Sequence, residues 1–221
     1  MTIKLYSHPT SPAGRAVFML TEILNLKYEL IEVNTLAGDN RKPEYLEKNP
    51  NHTIPMIEDD GFILIDSHAI LTYLVEKYGA KQAQLYPKDL QLRSIVHQRL
   101  FYDASAITSI LITIFIEIAR HNASGPNEEQ LEKVNDVYNI LDKYLSKNDY
   151  VAGDQLTIAD ISCVANISTL ADISPIDPKH KKLTAWHNRL QNEEWYKKGN
   201  LPGLTAISQI LKSLMEKNSK A

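Results

Sequence analysis

The chain has 221 residues, 43% of them hydrophobic and 23% charged, with a formal net charge of −3. That is length for one large domain or two modest ones, in the composition of a soluble globular protein. It excludes a global basic field for gathering nucleic acid, and the single cysteine, Cys163, excludes an intrachain disulfide and a zinc–thiolate cluster. No metal site is expected. The most apolar stretch, Ala106 to Ala119, is broken by Thr108, Ser109, Thr113 and Glu117 and reads as too short and too polar to span a bilayer. The opening MTIKLYSHPTS lacks the apolar core of a secretory signal, and a lone thiol suits a reducing compartment. The expectation is a cytoplasmic protein that does not engage membrane.

Ile3 to Tyr6 predicts a strand, and Pro12 to Leu24 a helix with Val17, Leu20, Ile23 and Leu24 at helical spacing. Tyr28 to Val33 alternates and predicts a second strand. Ile54 to Glu58 and Phe62 to Ile65 predict two more, joined by the turn signal Asp59-Asp60-Gly61. Ser67 to Tyr78 predicts a helix closed by Gly79 at the position that usually follows a helix in left-handed backbone. Residues 80–87 read as a linker. Beyond it only helical patterns occur: Asp89 to Arg120, Asn127 to Leu145, Thr157 to Asp172, Lys179 to Gln191 and Gly203 to Met215. Leu131, Val134, Val137, Leu141 and Leu145 share one face of the second of these. The end, Lys217 to Ala221, reads as a frayed tail. Segregated elements of this kind predict two packed units, an α/β domain over residues 1–81 and an all-α domain over 88–221.

Chemistry is suggested at three places in the first unit. Ser11-Pro12 reads as a helix start, with proline in the first turn and serine as the cap. Free N–H groups and partial positive charge at such a terminus stabilise an anion, and a thiolate is one. The following residues, Pro12-Ala13-Gly14, leave no Cys-x-x-Cys motif, so a thiol must arrive with a ligand. Ile54-Pro55, at a strand start, can expose backbone groups to an extended peptide. Asp66-Ser67 opens the next helix. Ser67 serves as an ordinary cap, or the pair captures an amino-acid-like group, Asp66 taking its ammonium. His52 and His68 flank these positions. In the second unit, Thr157-Ile158-Ala159-Asp160 fits a capping box, and Cys163 reads as a small core residue. Phe101, Tyr102, Asp103, Ile107, Ile110, Leu111, Ile114 and Phe115 form a mainly apolar stripe, for interdomain core with a few members lining an apolar pocket.

Taken together, LYSHPTSPAGRAV, NPNHTIPMI, DSHAILTYLVEKYG and VAGDQLTIADIS resemble the cytosolic glutathione S-transferase family across nearly the whole chain. Asn-Pro-x-His-Thr-Ile-Pro and Asp-Ser-His-Ala-Ile resemble its insect delta and epsilon classes, with a lean to epsilon. The resemblance implies a thioredoxin-like α/β N-terminal domain that binds glutathione, and an all-α C-terminal domain with the electrophile pocket. It implies a homodimeric, detoxifying transferase that uses glutathione as co-substrate and needs no cofactor. Residue by residue, it implies that Ser11 bonds the glutathione sulfur and that His52 lies near the glycine end and the cysteinyl portion. Ile54 clamps the cysteinyl backbone beside a cis Pro55, while Asp66, Ser67, His68 and Asp103 gather at the γ-glutamyl group. Ile107, Ile110, Leu111, Phe115, Leu204 and Ile207 are expected around the electrophile. A carrier of hydrophobic ligands, or a glutathione-dependent peroxidase or isomerase, could use the same fold.

Three positions depart from the family pattern. His68 replaces the arginine usual in delta enzymes, exchanging a fixed charge for one expected to titrate between about pH 5 and 8. Asn40 stands where epsilon enzymes often carry histidine, which weakens one contact at the glycine end. Ile110 falls near an arginine of some epsilon enzymes, which makes the pocket more apolar.

Overall fold

The computed structural model describes residues 3–220. Four strands, β1 (Ile3–Ser7), β2 (Tyr28–Glu32), β3 (Met56–Asp59) and β4 (Phe62–Ile65), form one sheet in the order β2-β1-β3-β4. The crossover helix α1 (Pro12–Leu24) makes β1 and β2 parallel, and β3 runs antiparallel to both β1 and β4. β3 starts at Met56, two residues later than predicted, because Pro55 has no N–H for the ladder. Asp60 and Gly61 turn the hairpin at φ of 52° and 81°, the positive pair that a tight two-residue turn requires. A turn of 3₁₀ helix at Asp39–Arg41 and the four-residue α2 (Pro43–Leu46), neither foreseen, precede β3.

Helix α3 (Ser67–Tyr78) has the predicted bounds. Gly79 ends it at φ −90°, however, so left-handed backbone is not why glycine stands there. Its N–H bonds to the Val75 carbonyl, and a Cβ would fall 2.4 Å from that oxygen. Residues 80–85 are 3₁₀ turns that bury Leu85 rather than a bare linker.

The second unit is helical among the described residues. Helices α4 (Leu90–Tyr102) and α5 (Thr108–Arg120) are joined without a break by a π-helical turn at Asp103–Ile107. This 31-residue helix is long and apolar enough to cross a membrane by length and composition, contrary to the reading of Ala106 to Ala119 alone. Its buried side, including Val96, Leu100, Ile107, Ile114 and Ile118, belongs to the core, and it packs against α7 and α10. Helix α6 (Glu128–Leu145) buries four of the five predicted residues, but Leu131 is exposed one turn inside its start. Helix α7 (Ile158–Ile173) is buried on every side as far as Leu170, as a helix through the centre of a domain must be. Asp160 does more there than cap. Its carboxylate accepts the Thr157 N–H and hydroxyl, the Val151 N–H and the Trp186 indole N–H.

Helices α8 (Lys181–Gln191), the unforeseen α9 (Glu194–Gly199) and α10 (Leu201–Asn218) complete the domain. The expected frayed tail is tethered instead. The Asn218 amide donates to the Ile118 and Ala123 carbonyls at 3.0 and 2.9 Å. Of that segment, Ala221 lies outside the described residues.

The two units meet through α1, which packs on α7 and α9. Arg15 is wholly buried in that contact, donating to Asn200 Oδ1 at 2.8 Å, to the Ala165 carbonyl at 3.3 Å and to the Thr169 hydroxyl. Burial lowers its pKa to about 10, so it stays cationic at neutral pH. At the start of α10, a Cβ on Gly203 would fall 1.9 Å from the Pro9 carbonyl oxygen and 2.9 Å from Arg15 Cδ. Only glycine lets that helix approach the loop between β1 and α1 so closely.

Candidate functional site

The loop between β1 and α1 offers several polar groups, and the structure removes most of them from contention. The Tyr6 hydroxyl donates to Glu58 and accepts from Lys48. Ser7 is fully buried, and His8 Nδ1 lies 2.7 Å from the Thr10 hydroxyl. Ser11 remains. It caps α1, its Oγ accepting the Gly14 N–H at 3.2 Å. The oxygen is thus engaged by the helix, while the hydroxyl proton has no acceptor among the described residues. No acidic side chain occupies the first turn of α1, so the positive end of the helix is uncompensated.

The segment before β3 is held from below. The Ile54–Pro55 peptide is cis. The Thr53 carbonyl accepts from the Tyr45 hydroxyl at 2.6 Å and from Asn49 Nδ2 at 2.8 Å. The His52 carbonyl accepts from Asn40 Nδ2 at 2.5 Å. Ile54 N–H and C=O make no hydrogen bond among the described residues, which leaves both for an extended ligand. The half-buried His52 ring likewise makes no hydrogen bond among the described residues.

At α3 the cap is Asp66, not Ser67. Asp66 Oδ1 accepts the N–H groups of His68 and Ala69 at 2.9 and 3.2 Å. Asp66 adopts φ 72°, and its side chain is 61% exposed, with no hydrogen bond to Oδ2 among the described residues. Ser67, the first helical residue, is buried at its foot. His68 bridges two carboxylates, with Nδ1 3.3 Å from Asp66 Oδ1 and Nε2 2.9 Å from Asp103 Oδ2. Burial opposes its cation, but bonds to Asp103 and Asp66 outweigh that and raise its pKa to about 9. The expected titration between pH 5 and 8 is therefore displaced upward. The bond from His68, against some burial, lowers the Asp66 pKa.

Asp103, at the first position of the π turn, is fully buried and, among the described residues, meets the site through His68. Two residues that sequence reasoning missed hold it from α7. The Ser162 hydroxyl donates to Oδ2 at 2.6 Å, and Asn166 Nδ2 to both oxygens at 3.0 and 3.1 Å. Their four-residue spacing puts them on one face of α7, a signal available in the sequence.

The six residues expected around an electrophile divide differently. Ile107, Ile110, Leu111, Leu204 and Ile207 are buried in the core, and Phe115 is half-buried against it. A groove of about 580 Å³ opens between α4–α5 and α6, lined by Tyr102, Ser109, Thr113, Glu117 and Val137 among others. Of the six it includes Ile110 alone.

Comparison with known proteins agrees with this architecture. Residues 5–82 match the glutathione S-transferase N-terminal domain family, and residues 107–194 the corresponding C-terminal domain family. Glutathione S-transferase 1 of Manduca sexta is 42% identical over 216 residues, covering 96% of this chain and 99% of that protein. An epsilon-class glutathione S-transferase from the housefly, Musca domestica, has the same fold at TM-score 0.93 and 38% identity, over 96% of this chain and 98% of that one. A glutathione transferase homolog from Drosophila mojavensis, solved with bound glutathione, matches at TM-score 0.92 and 36% identity, over 96% and 97%. The chain belongs to the glutathione S-transferase family, in its insect delta/epsilon group.

Proposed function

We propose that this transferase activates glutathione as its thiolate at Ser11 and directs it against hydrophobic electrophiles. Ser11 carries the reading: a cap whose oxygen is taken by the helix and whose proton is left to donate, at a helix end without a competing carboxylate. A thiol with pKa near 8.5 is mostly protonated at neutral pH, and each unit of depression is worth about 1.36 kcal/mol. Main-chain groups of Ile54 beside the cis Pro55 take the cysteinyl backbone, and His52 takes the glycine end. Asp66 Oδ2 takes the γ-glutamyl ammonium, with Ser67 and the first turn of α3 at the carboxylate. His68 and the buried Asp103 hold Asp66 in place. In this reading residues 1–81 bind glutathione and 88–221 carry the electrophile pocket, and the close approach of Gly203 to Pro9 joins the start of α10 to the loop that carries Ser11.

The same reading makes the protein a cytoplasmic homodimer. Helix α4 exposes Leu90 (77%), Phe101 (71%), Leu92 and Ile95, more apolar surface than one isolated helix face needs. Light scattering should give twice the chain mass of 25.1 kDa. A monomer at micromolar concentration contradicts the dimer. The decisive experiment on mechanism is Ser11→Ala, assayed with an aryl halide. Loss of one donor aimed at the anion should lower kcat at least about tenfold, and loss of the cap should cost about 0.5–2 kcal/mol of stability. Full activity would remove Ser11 from the chemistry. Wild-type protein that binds glutathione but turns over no electrophile would favour the carrier reading.

A further inference from the structure

We infer that Ser7 is a positioning residue for Ser11, its buried hydroxyl acting as a stop that fixes how deeply the first turn of α1 sits on the sheet. Ser7 ends β1, where its carbonyl accepts the Val33 N–H at 3.0 Å. The residue is wholly buried, and its Oγ has no hydrogen-bond partner among the described residues. An orphaned buried hydroxyl costs stability that alanine would keep, so what the oxygen supplies here is shape.

The shape is fitted to Gly14. A Cβ on Gly14 would fall 2.1 Å from Ser7 Oγ, far inside any tolerable contact. The next atoms are the His8 carbonyl oxygen at 3.3 Å and Ser11 Cβ at 3.4 Å, so the Ser7 oxygen is what excludes a methyl group. Gly14 lies in the first turn of α1, where alanine would make the better helix. Its backbone is helical, so glycine stands there for room and not for a left-handed turn. Two contacts carry this seat to the chemistry. The Gly14 N–H is the one that Ser11 Oγ accepts. The Ser11 N–H donates at 2.9 Å to the His8 carbonyl, the same oxygen that a Gly14 methyl would crowd. Lifting α1 at Gly14 therefore moves both holds on Ser11, while Ile54 and Asp66, on other elements, keep their places. Misplacing a reacting group by about 1 Å can cost as much as about 100-fold in rate. The inference rests on the proposed role of Ser11.

The test compares the wild type with Ser7→Ala, Gly14→Ala, the double variant and Ser11→Ala. Rates at saturating glutathione with an aryl halide, taken across pH, give kcat and the apparent pKa of the bound thiol. Calorimetry with S-methylglutathione, which has no thiol to titrate, gives binding alone. Gly14→Ala should lose at least about tenfold in kcat and raise the thiol pKa, with S-methylglutathione bound almost as before. Ser7→Ala leaves a gap beneath Gly14 and should lose less, in the same way. The double variant sets a methyl beside the space that the oxygen leaves, and should recover rate and pKa beyond either single change. Losses that add in the double variant would overturn the proposal. So would a Gly14→Ala protein with a lowered Tm but an unmoved thiol pKa, since the pair would then serve packing alone. Should Gly14→Ala not fold, the double variant against Ser7→Ala decides: a seat requires the second substitution to improve the enzyme, and no improvement rejects it. Full activity in Ser11→Ala would instead sink the assignment of Ser11 itself.

Discussion

Helices α1 and α3 both begin at the proposed glutathione site, and their first turns are built in opposite ways. The start of α1 carries a neutral cap, Ser11, no acid in its first turn, and the buried cation Arg15 one turn in. The start of α3 carries a carboxylate cap, Asp66, backed by His68 and then by the buried Asp103. One terminus keeps its positive end for an incoming anion. The other spends part of that field on its own side chain, at the His68 and Ala69 N–H groups, and presents a negative oxygen outward. A tripeptide with a thiolate in the middle and an ammonium at one end matches that difference. The lesson is that capping chemistry, usually read as stability alone, here sorts charge along a ligand.

The strongest way to break the contrast is to give α1 the cap of α3. Ser11→Asp retains an oxygen for the Gly14 N–H, so stability should change by less than about 1 kcal/mol. A fixed negative charge beside the thiolate should nonetheless reduce conjugation by more than about 100-fold, the lower bound for losing an anion-stabilising donor. Activity within tenfold of wild type, with the Tm unchanged, would show that the field at α1 does not matter.

A second, smaller effect concerns pH. The folded pKa of His68, about 9, lies above its ordinary 6.5. The stabilisation that its cation supplies is therefore complete below about pH 6.5 and lost as pH rises through 9. Binding of S-methylglutathione, which has no thiol to titrate, should be nearly flat from pH 5.5 to about 7.5 and weaken above it. His68→Arg should remove the upper fall, and Asp103→Asn should move it toward neutral pH. A fall centred near pH 6.5 in the wild type would show that the two carboxylates do not hold the proton.

The smallest change expected in stability is at Asp66. Its φ of 72° is one that glycine adopts freely, and glycine is a tolerable cap. Asp66→Gly should cost only a few tenths of a kcal/mol relative to the native cap while weakening glutathione binding severalfold. Calorimetry giving unchanged affinity would leave α3 with a cap and no role in the ligand.

The elements that were legible in the sequence are those whose ends carry local chemistry. Pro12, the Asp60-Gly61 pair and Gly79 mark α1, the hairpin and the end of α3, and those bounds agree with the structure. Ser11, Pro55 and the α3 start stand out for the same reason, while the cis form of the Ile54–Pro55 bond follows from the family resemblance. What was not legible depends on distant partners. Asp103 reads as a site residue in sequence, and its burial becomes visible only with Ser162 and Asn166, 59 and 63 positions away. The pKa of His68 inherits that dependence. Leu131 follows the apolar spacing of α6 and is exposed, because the spacing records one face of a helix and not how far along it the neighbours reach. The six-residue α9 and the tether at Asn218 have no pattern long enough to detect.

The gap at Gly203 bears on how this molecule can change over generations. The start of α10 and the loop that carries Ser11 share one close contact, with no room for a methyl group. A substitution that tilts α10 to admit a bulkier compound would drag the nucleophile's anchor with it. If the proposed placement of Ile207 at the electrophile holds, new preferences are channelled into side chains further along the helix, away from the loop that carries Ser11. The close contact thereby holds a single glycine nearly immutable at the seam between the two units.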